Sequence, residues 1–155
     1  MKKLSFIIAI ATMLGLASCE KVEQVAAFEN LGIGSYLTKE KSTKVLLDFT
    51  KLATETVSID VKEKGTPVDK ITIYVTEGSA TRDQAAWKKI KEVPYNGVTT
   101  LSVTAAQIAT ALGVNINTMT PGKQFTLYNE ITAKDGKIFS LANTNGEFES
   151  IANYN

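Results

Sequence analysis

Two neighbouring stretches of this chain alternate apolar and polar residues with a period of two. In Thr56–Lys62, Val57, Ile59 and Val61 share one face and Ser58, Asp60 and Lys62 the other. In Val68–Thr76, Ile71, Ile73 and Val75 lie opposite Thr72, Tyr74 and Thr76. Successive side chains of a strand leave opposite faces, so the pattern specifies two half-buried β-strands and excludes an amphipathic helix at either place. Gly65-Thr66-Pro67 between them is turn chemistry.

The remaining elements follow from the same reasoning. Leu31–Leu37 reads as a glycine-softened edge strand and Val45–Phe49 as a second edge piece. Residues 77–86 form a polar loop. Trp87–Val93 is ambiguous: Ala86, Trp87 and Ile90 fit a helical stripe, but within an otherwise β chain a strand is expected, with Lys88, Lys89 and Lys91 protecting a sheet edge from further pairing. After Pro94-Tyr95-Asn96-Gly97, the β-branched run Val98–Val103 predicts another strand. The period then changes: Thr104 and Gln107 form a capping box, Ile108, Ala111 and Leu112 an apolar face, and Gly113 a stop. Met119–Gly122 turns the chain into a long strand, Gln124–Lys134, with Phe125, Leu127 and Ile131 inward. Asp135-Gly136 closes a hairpin onto Ile138–Leu141, because Asp-Gly supplies the positive φ angles of a tight turn. About seven strands at even spacing predict an all-β fold, an immunoglobulin-like β-sandwich over residues 31–142 with one short helix near residues 104–112. Residues 143–155 read as an irregular tail.

Composition narrows the chemistry. The chain carries 17 basic and 16 acidic residues, with no histidine and one cysteine. A near-neutral balance provides no electrostatic footprint for nucleic acid. Lack of histidine removes the commonest general base and the commonest zinc ligand. One cysteine forms no internal disulfide, so packing must hold the core.

That cysteine, Cys19, follows Leu16, Ala17 and Ser18 at the end of an apolar run from Leu4, itself preceded by Lys2 and Lys3. The run is shorter than the roughly 20 residues a membrane-spanning helix needs, and suits the apolar core of a signal peptide. Leu16-Ala17-Ser18-Cys19 resembles a bacterial lipobox. The resemblance implies that residues 1–18 are a lipoprotein signal peptide and that Cys19 is acylated. With about 0.8 kcal/mol for each buried methylene, two or three acyl chains anchor firmly. Residues 19–30 would then be the lipidated cysteine and its tether. Glu20, Lys21 and Glu23 faintly echo the charged surface-export signal of Bacteroidota lipoproteins.

Met119-Thr120-Pro121-Gly122-Lys123-Gln124-Phe125 is similar to the corner before strand F of fibronectin type III domains, with Phe125 in the tyrosine's place. More widely, Thr100–Gly113 and Phe125–Phe139 look like Bacteroidota outer-membrane lipoproteins resembling the N-terminal immunoglobulin-like domain of starch-utilisation-type accessory lipoproteins. This resemblance implies an outer-membrane, lipid-anchored location on either the cell-surface or the periplasmic face. A nutrient-transporter complex or a glycan is the implied partner.

No catalytic constellation stands out. A serine or threonine nucleophile would need lysine as its base, and no Ser-x-x-Lys motif sits on a helix. Gly32 and Gly34 lack the third glycine of a dinucleotide loop. Glu147 and Glu149 lack the rest of a calcium loop and read as a solvated tail. The remaining candidates are Tyr74 and Tyr128, both out of phase with the apolar face of their strands. On one sheet they would make an outward platform on which a sugar could stack, or they would simply cover the sheet. Trp87, the only tryptophan, reads as a core or edge anchor. The expectation is therefore a non-enzymatic, lipid-anchored binding or spacer module without cofactor or metal. The alternatives are a carbohydrate-binding lipoprotein and an adhesin or assembly subunit that pairs through a strand edge.

Overall fold

The structure is a computed structural model that describes residues 34–44 and 46–143. The expectations for Leu16–Cys19, for the tether, for Leu31–Ile33 and for residues 144–155 lie outside the described residues. Seven strands form two antiparallel sheets: β1 (Ser35–Lys44), β2 (Thr56–Gly65) and β5 (Thr99–Thr104) in the order β1-β2-β5, and β3 (Val68–Glu77), β4 (Lys88–Pro94), β6 (Phe125–Ala133) and β7 (Ile138–Phe139) in the order β4-β3-β6-β7. The chain is thus an all-β sandwich with one α-helix, α1 (Ala105–Leu112), among the described residues. Because β5 returns to pair with β2 after β3 and β4 have built the other sheet, the connections are those of a Greek key.

The alternating runs place their apolar faces together. Val61, Leu101 and Val103 from the three-stranded sheet meet Ile71, Ile73, Val75 and Ile131 from the four-stranded one, and Ala105, Ile108, Ala109 and Met119 pack against them. Burying each fully enclosed isoleucine or valine stabilises the fold by roughly 1.5–3 kcal/mol. The helix is set locally. The Thr104 hydroxyl accepts from the Gln107 N–H, the Gln107 side-chain oxygen accepts from the Thr104 N–H, and Gly113 ends it at φ 70°. Its buried face is Ala105, Ile108 and Ala109, one turn earlier than expected, with Ala111 and Leu112 only half-buried.

The Gly65 turn tolerates no side chain. Its φ is +100°, and a Cβ there would lie 1.9 Å from the Gly34 carbonyl oxygen.

Three expectations need correction. β1 is not confined to Leu31–Leu37; it runs through the charged stretch Lys39–Lys44 by laddering with β2. Val45–Phe49 supplies no strand among its described residues: Leu46–Asp48 are irregular and Phe49–Lys51 make a single 3-10 turn whose first N–H groups are capped by Asp48. The last strand does not reach Leu141: β7 pairs only Ile138 and Phe139 with β6, and residues 141–143 turn away.

Candidate functional site

Tyr74 and Tyr128 meet as direct cross-strand partners on the outer face of the four-stranded sheet. Alternation places them there, as Ile73 and Val75 point into the core on either side. They are not an open shelf. The connection from β3 to β4, residues 78–87, folds back across this face and lays Trp87 on Tyr128, with ring centroids 4.2 Å apart and planes 18° from parallel. Trp87 also meets Tyr74 at 5.7 Å in a tilted arrangement. Tyr128 is left 4% exposed and Trp87 6%.

The polar atoms of the three rings all have partners. The Tyr128 hydroxyl accepts from the Thr81 N–H at 2.9 Å and shares a hydrogen bond with the Thr76 hydroxyl at 2.9 Å. The Trp87 indole N–H donates to the Thr81 carbonyl at 3.0 Å. The Tyr74 hydroxyl donates to Glu130 at 3.1 Å, and Gln84 donates to the other oxygen of the same carboxylate at 3.2 Å. Burial first, and then that bond to Glu130, pushes the Tyr74 phenol above its usual range. A ring face already covered by another ring has nothing left for a sugar to stack on, so the cluster acts as the anchor of the loop. Asp83 starts the loop's 3-10 turn, its carboxylate accepting from the Ala85 N–H.

Beside the cluster, on the outer face and at the β4 edge, Glu92 accepts from Lys70 at 2.8 Å and from Lys89 at 2.6 Å. These two ammonium groups hold its carboxyl down at about 2. Lys88, Lys89 and Lys91 all lie on β4, the edge strand of this sheet.

The flank of the sandwich between β1 and β6 is built differently. A cleft of about 630 Å³ opens between the sheets, floored by Val57, Ile59, Leu101, Phe125 and Leu127. A second, of about 850 Å³, lies between Ser35–Leu37 and the β6 edge. Both include Leu127 and Asn129, and their opposite walls are the end and the start of β1. Leu127 and Asn129 thus stand between two clefts on this flank. Leu46 is 78% exposed at the mouth of the first, and Leu127, although on the core face, is 36% exposed.

Two polar ties fasten the connections between strands. Glu55 accepts from Lys44 and from the Asp48 N–H, which fastens the β1–β2 connection and keeps its carboxyl below the usual range. Tyr95, in the turn between β4 and β5, accepts the Glu63 N–H at 2.7 Å and so links the two sheets. Neither tie is readable from sequence, because Glu55 and Tyr95 sit in connections without periodicity.

The corner before β6 has Met119 buried, Gly122 at φ 88° and the Lys123 N–H reaching the Thr120 carbonyl at 3.3 Å. Phe125 packs half-buried against the core. Among the described residues, no group of three or more Cys, Asp or Glu converges as a metal site, and no helix is long and apolar enough to cross a membrane. No family model, curated protein or solved structure matches the chain.

Proposed function

We propose that this protein is a non-catalytic β-sandwich module, held at a bacterial outer membrane by acyl chains on Cys19 and acting there as a binding or spacer unit beside a nutrient-uptake complex. The observation that carries the reading is Leu16-Ala17-Ser18-Cys19 at the end of a Lys2-Lys3-led apolar run, with the first strand of the sandwich starting at Ser35. A short stretch after Cys19 would then separate a membrane surface from a folded domain. The covered aromatic cluster and the paired surface carboxylates favour a scaffold over a reaction centre. Direct glycan binding through Tyr74 and Tyr128 would require loop 78–87 to lift Trp87 off the sheet, so the spacer reading is preferred.

Cys19→Ala tests the anchor. The variant is expected to leave the membrane fraction and to stop incorporating labelled fatty acid. Unchanged membrane retention would overturn the reading.

A further inference from the structure

The turn between β4 and β5 carries the chain from one sheet to the other, and both of its ends are fixed. Pro94 is paired with Lys70 in the four-stranded sheet, and Thr99 with Val61 in the three-stranded one. Just inside the first end Tyr95 is buried, its N–H donating to the Asp69 carbonyl at 2.9 Å and its hydroxyl accepting the Glu63 N–H at 2.7 Å. The next two residues, Asn96 and Gly97, are held far more loosely. Asn96 is exposed, and only its backbone N–H is engaged, donating to the Thr99 hydroxyl at 3.3 Å. Among the described residues its side-chain amide has no hydrogen-bond partner, and neither has the Gly97 N–H. Gly97 has a φ of +80°, and nothing stands within 4 Å of the place a Cβ would take.

We infer that Asn96 is a site of spontaneous modification, where the side-chain amide closes onto the Gly97 nitrogen and the turn between the sheets becomes an isoaspartyl linkage that loosens their Tyr95 tie. This goes beyond attachment at Cys19 and does not rest on it. Water is the only co-reactant. The Gly97 nitrogen gives its proton to solvent base and attacks the Asn96 side-chain carbonyl carbon. A new C–N bond closes a five-membered succinimide, and the Asn96 amide nitrogen leaves as ammonia. One water then opens the ring. Cleavage of the bond just formed gives aspartate in the original main chain. Cleavage of the original peptide bond gives isoaspartate, whose main chain runs through the former side chain and is one methylene longer. In sum one water enters and one ammonia leaves, with no oxidation or reduction.

The turn favours this step in three ways. Attacking and attacked atoms belong to adjacent residues, so their encounter is intramolecular. Neither the amide nor the Gly97 N–H has to break a hydrogen bond first. Glycine brings no side chain to block the approach, and its backbone can rotate in open space. The other described asparagines lack this combination. Asn115 accepts the Asn117 N–H, Asn129 lies in the β3–β6 ladder, and Asn143 is fastened to Ser140 and Ile138. They are followed by Ile116, Glu130 and Thr144, and Asn117 by Thr118. Asp135-Gly136 has the glycine, but its carboxylate is held by the Lys137 ammonium at 3.0 Å and the Lys137 N–H at 3.1 Å, and it has no amide to expel. The consequence follows from the fixed ends: an added methylene lengthens a span tied at Pro94 and Thr99, directly beside the tyrosine that links the sheets.

Ageing the full chain in mildly alkaline buffer, with and without urea, tests this. Peptide mapping with fragmentation separates Asn96 from Asn145, which also precedes a glycine and lies outside the described residues. Asn96 should gain one mass unit, with the β-linked product in excess and accepting a methyl group from an isoaspartyl methyltransferase. In the native chain the rate should lie within about tenfold of the rate in urea. A closure that waited on global unfolding would be slower by about a thousandfold or more. A native rate more than about tenfold below the urea rate therefore overturns the site. Asn96→Gln, which must close a six-membered ring, should react at least about tenfold more slowly, and an unchanged rate would place the reaction elsewhere. Urea unfolding of the aged β-linked fraction beside Asn96→Asp separates the longer main chain from the added charge. The β-linked fraction should have the lower midpoint; equal midpoints would overturn the loosening of the tie.

Discussion

Tyr128 and Leu127 are neighbours on β6, and their burial is the reverse of what their faces suggest. Tyr128 points away from the core and is 4% exposed; Leu127 points toward it and is 36% exposed. The outer face of the four-stranded sheet is sealed because a loop returns across it and Trp87 stacks there. Among the described residues, β7 meets only Ile131 and Thr132 on the other side of β6. A strand's period decides which face a side chain takes. What covers that face decides whether it is buried, and among the described residues the polar loop 78–87 does more covering than β7.

The most severe test of the sealed face is Trp87→Ala. It removes a buried ring from between the loop and two tyrosines, and truncations of this kind cost about 3–5 kcal/mol. Urea unfolding should show a lower midpoint with little change in slope. A loss below about 1 kcal/mol would mean that the loop covers the sheet without stabilising it. Tyr128→Phe is the finer cut. The ring stack remains, but the Thr81 N–H and the Thr76 hydroxyl lose their partner, and leaving buried polar groups unpaired costs about 1–3 kcal/mol. A neutral result would place water at these atoms and make the seal looser than the rings suggest.

The rim of the sealed face has its own signature in pH. Lys70 and Lys89 hold Glu92 at about 2, against an ordinary value of 4.5. A carboxyl depressed on folding stabilises the native state above its unfolded value, and that contribution disappears as pH falls through the folded value. The stability difference between wild type and Glu92→Gln should therefore be constant above about pH 5 and shrink steadily from about 4.5 to about 2. Because Glu92 is a surface group, the difference should also narrow in high salt. A gap that stays flat on acidification would show that the ion pairs are not what Glu92 contributes.

These contrasts mark how far the sequence could be read. β2 and β3 were legible because Val57, Ile59 and Val61 and, opposite them, Ile71, Ile73 and Val75 pack into one core, Val57 and Ile59 only in part, which imposes alternation. The helix was legible because its signals, Thr104, Gln107 and Gly113, act within a few residues of themselves. The outward direction of Tyr74 and Tyr128 followed from the same alternation. Their cover did not, since loop 78–87 has no period and only its fold places Trp87 over Tyr128. β1 was partly missed for a related reason: as an edge strand it is held by its ladder with β2 through Lys39–Lys44, without an apolar face to announce it. The early end of β7 depends on Asn143 reaching back to Ser140 and Ile138, a three-dimensional event that leaves no mark in hydropathy.

Leu46 gives the open flank its own test, and the smallest expected effect. In composition it is as apolar as any core leucine, yet it is 78% exposed at the mouth of the cleft. A side chain that water already reaches gains almost no transfer free energy on folding, so its truncation removes little. Leu46→Ala should thus stay within about 0.5 kcal/mol of wild type, the range of ordinary surface substitutions. Measured beside Trp87→Ala under the same conditions, it isolates the contrast between the two regions: one buried apolar side chain lying outside the sandwich, one exposed apolar side chain at the entrance to its interior. A cost above about 1.5 kcal/mol would show that Leu46 is covered in solution, and the flank would then have to be counted with the sealed face.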